Sequence, residues 1–193
     1  MRYDYKDGKY VRSDVVAWTE SHAKEILVSD LDGDGTPELY AVREAQIVKE
    51  DGKKKRVSPV QISRMVNEGG AWKEVAVATL EDDQCRFLLA ADANHDGKTD
   101  LIAAGYKSGL WMLEADGEGG FTKATLIDKN SGGFEHASHA ADLDGDGKVE
   151  IYVAADKQRE FRRYRWDGTG FERKAIATIP EGRITWNLQD GTL

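Results

Sequence analysis

Residues 30–38 read DLDGDGTPE, and two later stretches repeat the pattern, DANHDGKTD at 92–100 and DLDGDGKVE at 142–150. We call these stretches loop 1, loop 2 and loop 3. In each, the first, third, fifth and ninth residues carry oxygen-bearing side chains, and the sixth is glycine. Ca²⁺ prefers oxygen ligands, which alternate residues of a tight loop can direct to one centre. Glycine at the sixth position lets the backbone reverse where a Cβ atom would clash. The pattern predicts three calcium loops.

The residues around the loops exclude an EF-hand, which needs a helix on each side and a carboxylate at position 12. Position 12 is Ala41, Ala103 or Val153, none of which has a side chain that binds a metal. The flanking segments are short apolar runs of strand length, such as ILV at 26–28 and IYVA at 151–154. Each loop is therefore predicted to join two strands, with its ninth residue as the closing carboxylate.

A second recurring unit lies between the loops, and its pattern is that of a β-hairpin with a Gly-containing turn. It begins near residues 3, 64, 111 and 164, and an aromatic residue follows each turn. These aromatic residues are Tyr10, Trp72, Phe121 and Phe171. Their spacing follows that of the first loop aspartates, so the chain has an internal repeat of about 50 residues. The first repeat is longer because residues 43–57 form a solvated insertion, whose basic cluster KKKR at 53–56 we do not interpret as a nucleic-acid signal.

Four strands in about 50 residues is the composition of a propeller blade. We therefore predict an all-β chain, a β-propeller of about four four-stranded blades in a single domain, 1–193. The approximate repeats are 1–62, 63–109, 110–162 and an incomplete 163–193. The last ten residues, ITWNLQDGTL, are interpreted as a degenerate loop without an ion. The two chain ends are expected to complete one blade together. The alternatives are a larger ring completed by a second copy, or a piece of a longer chain.

The three DxDxDGxx(D/E) loops between apolar strands resemble the FG-GAP/VCBS repeats, the blades also seen in the integrin α-subunit head. The resemblance implies that each loop binds Ca²⁺ through its side chains at positions 1, 3, 5 and 9 and its backbone carbonyl at position 7. The implied ligands of loop 1 are Asp30, Asp32, Asp34, the carbonyl of Thr36, and Glu38. Those of loop 2 are Asp92, Asn94, Asp96, the carbonyl of Lys98, and Asp100. Those of loop 3 are Asp142, Asp144, Asp146, the carbonyl of Lys148, and Glu150.

Charge and cysteine content fit that interpretation. The formal net charge is −8, and eleven of the 35 acidic residues lie at the ligand positions, so the acidity is mainly that of the loops. The single cysteine, Cys85, excludes an internal disulfide, and we interpret it as a structural residue at a strand start. No run of 18 apolar residues is present, so no membrane span is expected. Calcium loops and the family resemblance favour an extracellular, periplasmic or cell-surface location, although no signal peptide is evident.

The favoured function is a non-catalytic calcium-binding module that serves ligand binding, adhesion or scaffolding, with about three Ca²⁺ ions and an unidentified protein or glycan ligand. The alternative is a lectin-like module, or an accessory domain of a secreted enzyme such as a hydrolase or lyase, in which Trp111, Trp166 and Trp186 offer flat faces to a sugar. Packing between blades is the plainer role for these tryptophans. The expected state is a monomer or a ring-completing oligomer.

An independent enzyme is disfavoured because the chain lacks the common nucleophile, zinc-protease and phosphate-binding motifs. Its histidines His22, His136 and His139 precede loops 1 and 3 at similar repeat positions, which favours an architectural role. Nucleic-acid binding through the basic stretch KQREFRRYRW at 157–166 is also disfavoured, because the chain is acidic. We expect this stretch to be a solvent-facing outer strand whose arginines pair with neighbouring acids. Loop 2 is expected to bind calcium most weakly, since it has Asn94 and His95 where loops 1 and 3 have aspartate and glycine.

Overall fold

The protein is built almost wholly of antiparallel strands. The computed structural model describes residues 1–191, in which the strands are β1 (Arg2–Lys6), β2 (Lys9–Ser13), β3 (Ala23–Ser29), β4 (Glu38–Arg43), β5 (Gln46–Glu50), β6 (Lys53–Ser58), β7 (Val60–Glu68), β8 (Ala71–Leu80), β9 (Cys85–Ala91), β10 (Asp100–Gly105), β11 (Leu110–Ala115), β12 (Phe121–Asp128), β13 (Ser138–Ala141), β14 (Glu150–Ala155), β15 (Glu160–Trp166) and β16 (Phe171–Thr178). A short 3₁₀ turn covers Asp156–Gln158. Across these residues no helix has the length and apolar character needed to cross a membrane.

Twelve of the strands form three four-stranded antiparallel sheets. The first sheet has the order β3-β4-β7-β8, the second β9-β10-β11-β12 and the third β13-β14-β15-β16. Each sheet combines the two strands around one loop with the hairpin that follows it in the chain. The sheets, which lie within residues 23–80, 85–128 and 138–178, are therefore offset from the repeat frame 1–62, 63–109, 110–162 and 163–193, which starts at the hairpins.

The three sheets pack side by side through apolar side chains. Between the first and second sheets, Tyr40 and Ile62 share one core with Leu101 and Leu113. Between the second and third sheets, a second core joins side chains of both sheets, among them Ile102, Met112, Ile151, Val153 and Tyr164. The first strands of successive sheets are neighbours, with β3 beside β9 and β9 beside β13. Strand β10 of the middle sheet is buried along its whole length because it contributes alternate side chains to both cores.

The number of complete four-stranded units is three within residues 1–191, not the four that the sequence predicts. The first predicted hairpin forms, but its strands β1 and β2 remain a separate sheet of two strands. Nearly all of its residues are exposed. The insertion forms the other two-stranded sheet, β5–β6, whose basic residues Lys53–Arg56 are exposed.

The two chain ends do not form a common blade. Residues 179–191 contain no strand and lie instead against the third sheet, where Leu188 contacts a small apolar core that includes Ala154. The backbone amide of Thr185 donates to Asp156 at 3.2 Å. The degenerate loop expected at 184–193 therefore has no strands beside it up to residue 191, and residues 192 and 193 lie outside the described part of the chain.

Candidate metal centres

Each loop connects the first two strands of a sheet, as the sequence predicts. Loop 1 joins β3 to β4, loop 2 joins β9 to β10, and loop 3 joins β13 to β14. The ninth residue of each loop is the first residue of the second strand, so β-pairing fixes its position. The central strands β10 and β14 are buried along their whole length, which anchors one end of loops 2 and 3 rigidly.

All three loops have the same backbone turn. The amide of the glycine at position 6 donates to the carboxylate at position 1, at 2.9 Å in loop 1, 3.0 Å in loop 2 and 2.8 Å in loop 3. These glycines, Gly35, Gly97 and Gly147, have φ values of 86°, 87° and 83°, in the left-handed region that side chains with a Cβ atom rarely adopt. The amide at position 7 donates to the carboxylate at position 5 in each loop. The aspartate at position 1 therefore holds the turn of each loop by accepting hydrogen bonds from backbone amides of that loop.

Loop 1 gathers four carboxylates. Ligand atoms of Asp30, Asp32, Asp34 and Glu38 lie within 4.8 Å of one another. Burial raises the pKa of Glu38, although its Oε2 accepts a hydrogen bond of 3.1 Å from the amide of Leu31, and the nearby Asp32 raises this pKa further. This cluster of oxygen atoms could hold a metal ion.

Loop 3 gathers the carboxylates of Asp142, Asp144 and Asp146 within the same limit. The closing residue Glu150 is fully buried, its Oε2 accepts from the Tyr152 hydroxyl at 3.2 Å, and its Oε1 has no hydrogen-bond partner. The guanidinium of Arg165 contacts Asp144, Asp146 and Glu150. Loop 3 is thus a second candidate metal centre, and it has a cationic side chain beside it.

Loop 2 differs from the other two. Among residues 1–191 its acidic side chains do not form a cluster of three, partly because position 3 is the amide Asn94, whose Nδ2 donates to Asp96 at 3.2 Å. His95 adopts the left-handed conformation of the glycines at this position, with φ of 58°, and its Nε2 lies 3.3 Å from the carbonyl oxygen of Val149 in loop 3. The sequence identified the unusual residues, but not this direct contact between two loops.

The closing residue of loop 2, Asp100, is fully buried. Its Oδ1 accepts from the amide of Ala115 at 3.1 Å, whereas its Oδ2 has no hydrogen-bond partner. The pKa of this carboxyl rises from 3.8 to about 6, mainly through loss of hydration and to a smaller extent through the charges of Asp96, Asp92 and Glu114. An unpaired buried carboxylate oxygen is costly, so this position is best satisfied by a cation or a proton.

His136 and Cys85, the other residues with potentially reactive side chains, lie in the protein interior. His136 is buried, its Nδ1 lies 2.7 Å from the carbonyl oxygen of Gly105, and burial lowers its pKa to about 4. Cys85 is fully buried, and burial raises the pKa of its thiol to about 12, so the thiol is not poised as a nucleophile. The Oγ atom of Ser131 lies 2.8 Å from Nε2 of His136, and both side chains are buried.

The tryptophans and the basic stretch differ in exposure. Trp111 packs against the core between the first and second sheets, and Trp166 lies edge-on to Phe171 with ring centroids 5.1 Å apart. Trp186 alone of the three is largely exposed, at 67 %. The arginines of β15 pair with acids, as the sequence predicts, but Arg162 is buried in its pairs with Asp128 and Glu160 and does not face solvent.

Comparison with known families agrees with this geometry. The profile of the FG-GAP-like repeat matches residues 30–103 and again residues 92–153. Each match begins at the first aspartate of a loop and ends in the strand after the next loop, so the two matches span all three loops and most of the chain. A search among curated proteins found no significant match. With this match over more than half of its length, the chain belongs to the FG-GAP-like repeat family.

Proposed function

We propose that the chain is a non-catalytic, calcium-binding β-propeller module in which each ion fixes the connection between two strands of a blade. Support for the propeller comes from the repeat family and from the side-by-side packing of three four-stranded sheets with adjacent first strands. The proposed ligands are the side chains at positions 1, 3, 5 and 9 of each loop and the backbone carbonyls of Thr36, Lys98 and Lys148.

The observation that carries the proposal is that each of two fully buried closing carboxylates has an oxygen without a hydrogen-bond partner, Oδ2 of Asp100 and Oε1 of Glu150. Native proteins rarely leave a buried carboxylate oxygen without a partner, because the lost hydration is not replaced. Both residues stand at position 9, where the calcium-loop pattern requires a ligand. The donors of all three loops are oxygen atoms, which suits a hard cation such as Ca²⁺ and not a thiolate-binding metal.

The bound ion would supply positive charge and no reaction chemistry. In each loop the residues of the chain do the remaining work: the position-1 aspartate holds the turn through backbone amides, and the position-9 carboxylate ties the loop to the second strand. Without an ion, carboxylates this close repel one another and oppose the compact loop. Calcium binding therefore adds to the free energy of unfolding by mass action, by about 2.7 kcal/mol per site at 100 times the dissociation constant.

Such a module would serve ligand binding, adhesion or scaffolding at an extracellular, periplasmic or cell-surface location, where calcium is abundant. Two or three bound ions would also lower the acidic charge that the loops impose. A lectin-like role, alone or as an accessory domain of a secreted enzyme, is the second candidate. It is favoured by the exposed ring of Trp186, since an exposed aromatic face is a common platform for a sugar.

The test is thermal and urea unfolding of the protein in calcium, in magnesium and in a chelator. We expect a higher midpoint in calcium than in the chelator and a much smaller gain in magnesium, which demands a more compact octahedral site. Equal stability in calcium and in the chelator would refute the proposal. Light scattering on the calcium-loaded protein then distinguishes a closed monomer of 21.4 kDa from a ring completed by a second copy.

The lectin-like alternative is tested separately by glycan-array binding of the wild-type protein and of Trp186→Ala. Binding that the substitution abolishes would favour this candidate. The same measurement on Trp111→Phe, which keeps a partly buried aromatic ring in place, controls for effects on folding.

A further inference from the structure

Loops 1 and 3 have the same candidate ligands but different cationic neighbours. Both read DLDGDG and end in glutamate at position 9, so each has four carboxylates at its ligand positions. Their position-6 amides and position-7 amides make the same hydrogen bonds. The two loops differ at positions 7 and 8, which are Thr36 and Pro37 in loop 1 and Lys148 and Val149 in loop 3, and in the residues that surround them.

Loops 1 and 3 each have an arginine at an equivalent position beside them. Arg64 of β7 pairs in register with Tyr40, and Arg163 of β15 pairs with Tyr152, which are equivalent positions in the first and third sheets. Each guanidinium lies near the aspartate at position 3 of its own loop, at 3.7 Å in loop 1 and 4.0 Å in loop 3. This shared contact cannot distinguish the loops.

A second arginine is present only at loop 3. Arg165 follows Tyr164, which pairs with Ile151. By the same register, the equivalent residue is Val66 in the first sheet and Glu114 in the second. The position is thus neutral beside loop 1, acidic beside loop 2 and basic beside loop 3.

The guanidinium of Arg165 contacts three of the four carboxylates of loop 3. Its Nη1 lies 3.4 Å from Asp144, its Nη2 contacts Asp146, and its Nε lies 3.9 Å from Oε1 of Glu150. That last atom is the fully buried oxygen without a hydrogen-bond partner. The carboxylates that would surround a metal ion therefore already converge on an internal cation.

We propose that Arg165 is an internal counter-ion of loop 3, which competes with calcium and gives this loop a lower affinity than loop 1. The inference rests on the proposed calcium-binding function and assigns a determinant of affinity outside the loops. A unit positive charge a few ångströms from a divalent ion changes its affinity by about tenfold in a water-like dielectric. Arg165 also stabilises the ion-free form of loop 3, so this loop is built to gain and lose its ion at a higher calcium concentration.

The three position-6 glycines allow the loops to be measured separately in the intact chain. The amides of Gly35, Gly97 and Gly147 lie one in each loop, and each donates to the first aspartate of its own loop. Calcium titration of chelated, ¹⁵N-labelled protein, followed through these three amide resonances, gives one midpoint per loop. The variant is Arg165→Gln, and the control is Arg173→Gln, which removes the same charge from an exposed residue of the same sheet that pairs with Asp128.

In Arg165→Gln we expect the Gly147 midpoint to move to about tenfold lower calcium, with the other two midpoints unchanged. The reciprocal variant Val66→Arg should move the Gly35 midpoint to higher calcium. An unchanged Gly147 midpoint in Arg165→Gln, or an equal shift in Arg173→Gln, would overturn the inference while leaving calcium binding intact. Glycine resonances that do not respond to calcium in the wild-type protein would instead overturn the proposed function, and this inference with it.

Discussion

Replacing Asp100 with asparagine should change how the stability of the ion-free protein depends on pH. The carboxyl is fully buried, accepts one hydrogen bond from the amide of Ala115, and has an unpaired Oδ2. Desolvation is the main reason that its pKa rises from 3.8 to about 6, with smaller contributions from neighbouring aspartates. Asparagine keeps an oxygen for the amide of Ala115 but cannot ionise.

The sign follows from proton binding. An acid whose pKa is higher in the folded state binds more protons there than in the unfolded state, so stability falls as pH rises between the two values. The contribution of the Asp100 carboxyl to the free energy of unfolding is fully present below about pH 4, declines as the pH rises through about 6, and is lost at pH 7. The rise from 3.8 to about 6 corresponds to about 3 kcal/mol, at about 1.36 kcal/mol for each pKa unit.

The assay is urea unfolding in chelator at several values between pH 4 and pH 7.5, for the wild-type protein and Asp100→Asn. The difference between their free energies of unfolding should change by about 3 kcal/mol in favour of the variant as pH rises. His136, whose pKa burial lowers to about 4, makes an opposite contribution, but it is present in both proteins and cancels in the difference. Asp116→Asn is the control. Amide hydrogen bonds lower the pKa of Asp116, so the difference in free energy of unfolding between the wild-type protein and Asp116→Asn should not change with pH above about pH 5.

Calcium should reverse the order of stability of the wild-type protein and Asp100→Asn at neutral pH. At pH 7 a bound ion would neutralise the buried carboxylate of Asp100, so the wild-type protein should become more stable than Asp100→Asn. Parallel pH profiles in chelator would refute the reasoning about burial. A calcium gain of equal size in both proteins would show that Asp100 is not a ligand.

Three further outcomes test the fold. Leu113→Ala opens a cavity between the first and second sheets and should lower the free energy of unfolding by about 2–5 kcal/mol in urea, whereas the exposed Leu126→Ala should cost much less. Gly147→Ala, at φ of 83°, should lower stability by about 1–2 kcal/mol, while Gly170→Ala, which meets no atom within 4 Å and has no positive φ, should be nearly neutral. Cys85 should resist a thiol reagent at pH 8 in the native protein and react fully in urea, as followed by absorbance.

The features that the sequence predicts well are local. The loop pattern specifies a turn through its position-1 aspartate and position-6 glycine, and both partners lie within six residues of each other. The hairpins are equally local, because a Gly-containing turn brings adjacent strands together. All four predicted hairpins and all three strand-to-strand loops are confirmed. The all-β class follows from them.

The assembly of these units was less predictable. The offset of the sheets from the repeat frame arises because a hairpin can join the strand pair before or after it, and both neighbours have the same apolar pattern. The N-terminal hairpin shows the same limit: its turn forms as predicted, but β1 and β2 join no larger sheet and Tyr3, Tyr5 and Tyr10 remain exposed. Membership of a blade depends on burial contributed by other strands, which a local pattern does not contain.

Strand register decides what surrounds each loop, so loops 1 and 3, which have the same candidate ligand side chains, have different cationic neighbours. The interpretation of the basic stretch as a set of ion pairs is correct, yet the sequence does not show that Arg165 pairs with the carboxylates of loop 3. That contact exists because Ile151 pairs with Tyr164, which places the next residue beside the loop. A shift of one residue in this register would turn Arg165 to the other face of the sheet. The loop motif thus specifies where an ion can bind, whereas the register of the third strand sets the charge that the ion meets.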